Sequence, residues 1–487
     1  MKFNSYDYFI NQININPSKK NNNALIQENQ RLSYKDIDFF VNEKYSVFFD
    51  FAKQKSRRCA ILLKDSILSV ILYYGLLKYD ITPAFLNFSE NLKSVVGILS
   101  VGNFDTLVVD KNKFGKNEIS EIISQSNINS LFFSDGENID LNFDKKINLF
   151  EKEGKFILYS SGSTGLPKGV LHNQEDMVPA AKIHAEEVIG LTSNDIVYSM
   201  SNLNYTFAFV NATMSPFYAS ASSIISYDTN AWQVIENINK HHPTVICGVP
   251  AMISMVLELS KIQKLDLSSV RLVLSAGEKL PVRLWENWYK EYSIPIIEGY
   301  GSVEMIANVI SNRYNDYKLG SSGKITGSFI INENEDGELE VTGPTVSVNY
   351  IGKEKNNSKT YKTGDMFKKD SEGNYWYIGR KDNVFKFNGI WMNPHEIEEN
   401  LENFEGIGYA LVVNDNMQLT AFIVPDSVNK NLDKEYFKKL NLYIKTKLEH
   451  YKCPTKYVVV SEIPKNQNGK KIRKLISQNL WIKTILL

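Results

Sequence analysis

FILYSSGSTGLPKGVLHN, residues 156–173, is the stretch on which the reading of this chain turns. An apolar run leads into six small or hydroxyl-bearing residues, Ser160, Ser161, Gly162, Ser163, Thr164 and Gly165. Lys168 follows after Pro167, and a second apolar run then leaves. Small residues let backbone N–H groups approach an anion closely, while the hydroxyls and the lysine ammonium add donors and charge. Two strands joined by an anion-binding loop are therefore predicted. A nucleotidase P-loop would need glycine directly before the lysine, a hydroxyl directly after it and a helix beyond. Here Pro167 precedes Lys168, Gly169 follows it, and the continuation reads as a strand.

Around the loop, short apolar runs alternate with amphipathic stretches through the first 380 residues, a mixed α/β pattern. CAILLKD (59–65) reads as a buried strand and SILSVILYYGLLKYD (66–80) as the helix after it. TLVVD (106–110) is another strand, residues 234–250 a helix, a turn at Pro243 and a strand, and residues 268–278 a strand ending in a small-residue loop. Residues 320–380 switch to short alternating strands between Gly, Asn and Asp turns. A boundary is expected near residues 379–383. Beyond it come a helix opened by Pro394, strands at 409–413 and 418–425, a helix at 433–449 and a strand at 455–460. The expected architecture is a large N-terminal α/β domain, 1–380, of mixed sheets flanked by helices with a β-subdomain, then a small mobile α+β domain, 381–487.

Composition removes several function classes. Lysine plus arginine equals aspartate plus glutamate, 55 each, so neither nucleic acid nor an anionic membrane is an expected partner. Cys59, Cys247 and Cys453 have no metal or redox spacing, which predicts a reducing, cytoplasmic setting. The N-terminal residues lack a signal-peptide apolar run, and no stretch reaches the ~20 apolar residues of a membrane helix. His241 and His242 stand before Pro243 and read as a helix end rather than a metal site.

The loop SSGSTGLPKG resembles the phosphate-binding signature of the adenylate-forming superfamily: acyl-CoA synthetases, adenylation domains of peptide synthetases, and luciferases. The resemblance continues in chain order through SAGEKLP (275–281), EGYGSVEM (298–305), YKTGD (361–365), GRKDNVFKFNGIWMNPHEIE (379–398) and PKNQNGKKIRK (464–474). It is closest to benzoate-CoA ligases, through SAGEKLP, the GS-x-EM form of the middle motif and SNLNYTFAFVN (201–211).

That resemblance implies activation of a carboxylic acid by ATP to an acyl-adenylate, with release of pyrophosphate, followed by transfer to a thiol. Two anions must meet, so the site needs cations and preorganised donors. By resemblance, the loop from Ser160 to Gly165 takes the nucleotide, with Ser161, Thr164 and Lys168 on the β- and γ-phosphates. Glu304 is the implied Mg²⁺ ligand, and Mg²⁺ commonly takes one or two carboxylates beside phosphates. Gly277, Glu278 and Tyr300 would line the adenine slot, Tyr300 stacking on the base, with Glu298, Gly299, Gly301 and Ser302 of the same motif also at the nucleotide. Asp365 would accept from the ribose hydroxyls and Arg380 would assist. Lys470 resembles the lysine that bridges the carboxylate and the α-phosphate, so Lys168, Glu304 and Lys470 are the implied catalytic groups. Asp382 resembles the hinge of the small domain, and Lys386 and Gly389 would flank the thiol path. One position departs from the pattern: Val303 stands where the family carries a threonine that donates to the α-phosphate. Either Ser302 or a water replaces that donor, or catalysis is slowed.

Amino-acid-activating relatives carry an aspartate for the α-ammonium, and residues 204–208 have none. Tyr205, Thr206, Phe207 and Ala208 form one expected wall of the acid site, with Ala276, Gly301 and Ala307 (beside Asn308) opposite. A flat ring suits such a wall, so benzoate or a hydroxybenzoate leads, with cinnamate or a short aliphatic acid behind. No carrier domain follows the Lys470 motif before Leu487, so the expected acceptor is CoA or the phosphopantetheine of a separate acyl carrier protein. A monomer or homodimer is expected. The alternative from another class, resting on Val303, is a non-catalytic binder of nucleotide or acyl-adenylate.

Overall fold

The structure, a computed structural model, describes residues 3–11, 22–126, 128–144, 153–160, 166–334, 337–356, 358–382, 384–415, 418–425, 433–463 and 481–486. Lys155–Tyr159 and Gly169–Asn173 are the two strands expected around the phosphate loop, antiparallel with Tyr159 opposite Gly169. They close one edge of a seven-stranded sheet ordered Ile139–Asp144, Ser130–Ser134, Thr106–Asp110, Arg58–Leu62, Thr82–Phe85, Lys155–Tyr159, Gly169–Asn173. The five inner strands run parallel. A parallel sheet is covered on both faces, which is why residues 59–62 form an unbroken apolar run at zero exposure. The helix Ile67–Lys78 follows, opened by Ser66, whose hydroxyl accepts from the Ser69 amide while Ser69 reciprocates. Every residue from 67 to 77 is buried, so this helix is apolar all round because it is enclosed all round.

A second sheet has nine strands, ordered Lys324–Ile325, Asn308–Ser311, Ile296–Gly301, Leu272–Ser275, Val245–Cys247, Ile196–Ser199, Ser222–Ile224, Asn23–Gln27, Gln30–Ser33. Its parallel centre packs on the amphipathic helices Ala231–His241 and Val282–Tyr292, with Tyr198, Ile235, Ile246, Val273 and Trp288 in one core. The first of these helices stops at His242, at φ 49°, just before Pro243. The strands Asn23–Gln27 and Gln30–Ser33 were not expected from the sequence, and the first pairs in parallel with Ser222–Ile224, Leu25 opposite Ser223. Residues 320–380 supply Ile330–Glu333, Glu338–Thr342, Thr360–Lys369 and Tyr375–Arg380, a four-stranded sheet of the alternating kind expected there.

Contacts divide the chain into two units. One comprises Met1–Asn332, Glu340–Lys362 and Lys369–Trp376; the other comprises Glu333–Leu339, Thr363–Lys368 and Tyr377–Leu487. In the second, helices Pro394–Glu402 and Lys434–Lys447 cover the sheet Ile407–Asp415, Gln418–Pro425, Lys456–Val460, Trp481–Leu486. Ile397, Leu401, Val412, Phe437, Leu440 and Ile444 are among its core residues. The last strand, antiparallel to Lys456–Val460, was also not anticipated. The whole is the mixed α/β fold expected. Among the described residues no helix is long and apolar enough to cross a membrane.

Removing residues 481–487 should bare one hydrogen-bonding edge of Lys456–Val460. The amides of that strand that face the lost partner are expected to lose at least ~10-fold of their hydrogen-exchange protection. Those of Arg58–Leu62 should be unchanged. Equal protection in the truncated and full chains would remove the terminal strand from the sheet.

Candidate active site

At the base of the phosphate hairpin, the Ser160 amide donates to the Lys168 carbonyl at 3.0 Å. Lys168 is exposed at this end of the hairpin. Ser161, Gly162, Ser163, Thr164 and Gly165 lie outside the described residues, as does Lys470. Four residues beyond Lys168, His172 points inward from Gly169–Asn173, its ring stacked on Phe156 at a centroid distance of 5.4 Å. Its Nε2 lies 2.9 Å from the Val303 carbonyl oxygen. A carbonyl only accepts, so Nε2 carries the proton. Burial depresses the His172 pKa to about 3, which keeps the ring neutral. This bond ties the phosphate hairpin to the turn at residues 302–304.

That turn belongs to the EGYGSVEM motif. Ile296–Gly301 pairs antiparallel with Asn308–Ser311, Gly301 opposite Asn308. A Cβ at Gly301 would lie 2.5 Å from the Ala307 carbonyl oxygen, and one at Gly299 would lie 2.1 Å from Asn308 Nδ2. The two glycines therefore let the motif close on itself, with the half-buried Tyr300 between them. Glu298 is buried and accepts from Ser322 Oγ at 2.6 Å and from the Leu280 amide at 3.1 Å. Burial raises its pKa to about 7. Ser302 Oγ is buried without a partner among the described residues, and Val303 gives its carbonyl to His172. Glu304 is 8% exposed; its Oε1 accepts from Tyr350 Oη at 3.0 Å and its carbonyl from the Ser347 amide at 2.8 Å. Two residues on, Ile306 has φ 61°, a left-handed conformation that a β-branched residue adopts only under constraint.

The expected acid wall lies on the short helix Thr206–Phe209. Tyr205 at its N-cap is 41% exposed, Phe207 half-buried, and Thr206 and Ala208 buried. Ala276 and Ala307 are buried, whereas Gly277 (φ 89°) and Glu278 are exposed. Asn211 Nδ2, one turn beyond the helix, donates to the Phe207 carbonyl at 2.8 Å.

In the second unit, Asp365 and Arg380 come together. Asp365 is buried, with Tyr377 Oη donating to its Oδ1 at 3.1 Å and Arg380 Nη1 to its Oδ2 at 3.3 Å. The same Arg380 nitrogen donates to the Thr363 carbonyl at 3.1 Å. Asp382 is exposed in the turn after Tyr375–Arg380. Residues 385–392 form a two-residue hairpin, Phe387 opposite Ile390, whose turn is Asn388 at φ 49° and Gly389 at φ 81°. Positive φ at both central residues is the reason for the Asn-Gly pair. Lys386 lies over the Trp391 ring, 5.0 Å from its centroid.

Sequence reasoning missed His172 and Tyr350. A histidine on an otherwise apolar strand four residues past Lys168 was the available signal for the first; nothing local marked the second.

The profile of the AMP-binding enzyme family matches residues 15–351. The chain belongs to this family. The profile of the AMP-binding enzyme C-terminal domain matches residues 396–470. Among curated proteins, the chain is 30% identical over 337 residues to the benzoate–CoA ligase of Thauera aromatica, covering 65% of this chain and 64% of that one. It is 26% identical over 499 residues to the 4-hydroxybenzoate–CoA/benzoate–CoA ligase of Rhodopseudomonas palustris, covering 93% and 90%. Among solved structures, the anthranilate CoA ligase AuaEII in complex with anthranoyl-AMP shares the fold, with TM-score 0.79 at 24% identity over 98% of this chain and 97% of that one. Both the sequence relatives and this structure are thus CoA ligases of aryl acids.

Glu298 gives the site a pH signature. The folded carboxyl holds its proton to about pH 7 against an ordinary 4.5, so the folded state binds more protons between those values. Stability from this group is therefore lost as pH rises through that window. Glu298→Gln removes that dependence, so the wild type's melting midpoint relative to the variant should be highest at pH 5 and lowest at pH 8. Parallel pH profiles for the two proteins would refute this.

Proposed function

We propose that this chain is an AMP-forming acid–thiol ligase that activates an aryl carboxylic acid with ATP and passes the acyl group to CoA. The observation that carries it is the buried Glu304 carboxylate, oriented by Tyr350 on the turn that His172 ties to the phosphate hairpin. Tyr350 occupies Oε1 and leaves Oε2 without a partner among the described residues. One available carboxylate oxygen suits Mg²⁺, which keeps few protein ligands beside nucleotide phosphates. When bound, Mg²⁺ would neutralise phosphate charge as pyrophosphate leaves.

The other roles follow from this chain's own groups. Ser161, Thr164 and Lys168 would hold the β- and γ-phosphates, and Tyr300 would stack on adenine beside Gly277 and Glu278. Asp365, oriented by Tyr377 and Arg380, would accept from the ribose hydroxyls. Phe207, Ala208 and Ala307 would enclose a flat ring, and the lack of an aspartate at residues 204–208 argues against an α-amino acid. Lys470 would bring positive charge to the carboxylate and α-phosphate, with Asp382 as the pivot that exchanges it for the hairpin of Lys386 and Gly389. CoA is favoured over a separate carrier protein because the relatives are named as CoA ligases. Three free cysteines without a disulfide, Cys59, Cys247 and Cys453, suit a reducing, cytoplasmic setting.

Pyrophosphate exchange across a panel of benzoates, hydroxybenzoates, cinnamates and aliphatic acids, followed by CoA or candidate carriers, tests the reading. Nucleotide binding without acid-dependent exchange would make the chain a binder instead. Lys470→Ala should reduce adenylate formation ~100-fold or more while thiol transfer from supplied acyl-adenylate stays within a few-fold, because its charge stabilises only the first transition state. Equal loss in both half-reactions would sink the assignment. The buried, unpartnered Ser302 hydroxyl supports this residue as the replacement for the threonine lost at Val303. Ser302→Ala should then cost ~10²-fold in exchange, and adding Val303→Thr should restore most of it. If neither variant changes exchange, the α-phosphate is held from elsewhere.

A further inference from the structure

His184 is a buried group that adenylation chemistry leaves unused. It is 1% exposed, in the helical turn Ile183–Ile189. Its Nε2 lies 3.0 Å from the Asn308 backbone nitrogen, and its Nδ1 lies 3.1 Å from Asn211 Oδ1. A backbone N–H can only donate, so Nε2 accepts and Nδ1 carries the proton, which it gives to Asn211 Oδ1. That fixes the Asn211 amide with Nδ2 toward Phe207, whose carbonyl it meets at 2.8 Å. The result is one directional chain: the Asn308 N–H to His184, His184 to Asn211, Asn211 to the Phe207 carbonyl.

The direction holds only for neutral imidazole, because a second ring proton would face the Asn308 N–H. Burial depresses the His184 pKa to about 4. The far ends of the chain are the two faces read above as the acid site: Phe207 on one, and Asn308 with its neighbour Ala307 on the other. The Asn308 end also follows the constrained turn in which Ile306 has φ 61°. A turn held in a sparsely populated conformation keeps it only while its surroundings over-determine it, and the bond to His184 is anchored where this turn re-enters the strand.

We propose that His184 is a positioning residue that sets the spacing of the two acid-facing walls and thereby selects which aryl acid fits. It touches no reacting atom. The proposal rests on the aryl-acid reading of those walls. Misplacement of a bound acid by ~1 Å can cost ~10²-fold in rate, so modest movement of either wall should be visible in turnover.

Acid-dependent pyrophosphate exchange by the wild type comes first, and its absence with every aryl acid would overturn the aryl-acid reading itself. Given exchange, three variants separate the bonds. His184→Gln keeps an acceptor for the Asn308 N–H, His184→Asn keeps a donor for Asn211, and His184→Leu removes both. His184→Leu should raise KM for the preferred acid ~10-fold or more and leave KM for ATP within ~3-fold, and it should shrink the preference between benzoate and its ring-substituted forms. His184→Gln should recover part of the acid KM and of the preference. Equal changes in acid and ATP KM, or an unaltered acid preference, would overturn the proposal. Should His184→Leu fail to fold, the Gln and Asn variants decide on the same two criteria, at melting midpoints matched to wild type.

Discussion

The bond from His172 to the Val303 carbonyl joins two pieces of backbone that belong to different sheets. His172 belongs to the edge strand of the seven-stranded sheet, and Val303 to the turn that ends a strand of the nine-stranded one. Residues 345–351 lace the same join: Ser347 donates its amide to the Glu304 carbonyl and its hydroxyl to the Leu171 carbonyl at 2.7 Å, while the Leu171 amide donates to Asn349 at 2.8 Å. These bonds are buried or nearly so, where a polar group left unpaired costs about 1–3 kcal/mol. The separation of the strand Gly169–Asn173 from Glu304 is therefore a property of the packed interior.

The motif at residues 298–308 adds a second constraint of a different kind. Gly299 and Gly301 are there because side chains at those positions would collide with Asn308 and with the Ala307 carbonyl. Closing the motif that tightly leaves Ile306 at positive φ, and the surrounding bonds from Met305, Ala307 and Thr326 hold it there. Backbone strain of this sort collects where a site needs a geometry that an unconstrained chain would not adopt.

Much of this was legible in the sequence, and what was not has identifiable causes. The strands at 155–159 and 169–173 and the enclosed helix Ile67–Lys78 announce themselves because apolar runs act locally. The strand at 23–27 did not, because its parallel partner lies far along the chain, and 30–33, whose partner is that strand, was missed with it. The terminal strand 481–486, which pairs with Lys456–Val460, was missed as well. Within the site, Glu304, Asp365 and the glycines sit in recognisable motifs, but their supports do not. Tyr350 is 46 residues from Glu304, and Asn308 is 124 from His184; no spacing rule reaches that far. Ser161 through Gly165 and Lys470 are outside the described residues, so their sequence reading stands on its own.

The pairing of Leu25 with Ser223 has a consequence during synthesis. Asn23–Gln27 emerges first, yet its parallel partner is 198 residues later, the difference between 223 and 25. At ~5–20 residues per second the partner follows ~10–40 s behind. For that interval Asn23–Gln27 can pair only with Gln30–Ser33, and Ala24, Leu25 and Ile26, buried in the finished fold, lack their second neighbouring strand. A two-stranded ribbon with one open apolar edge is the kind of surface that recruits other chains, and it stays open until residues 222–224 have been made.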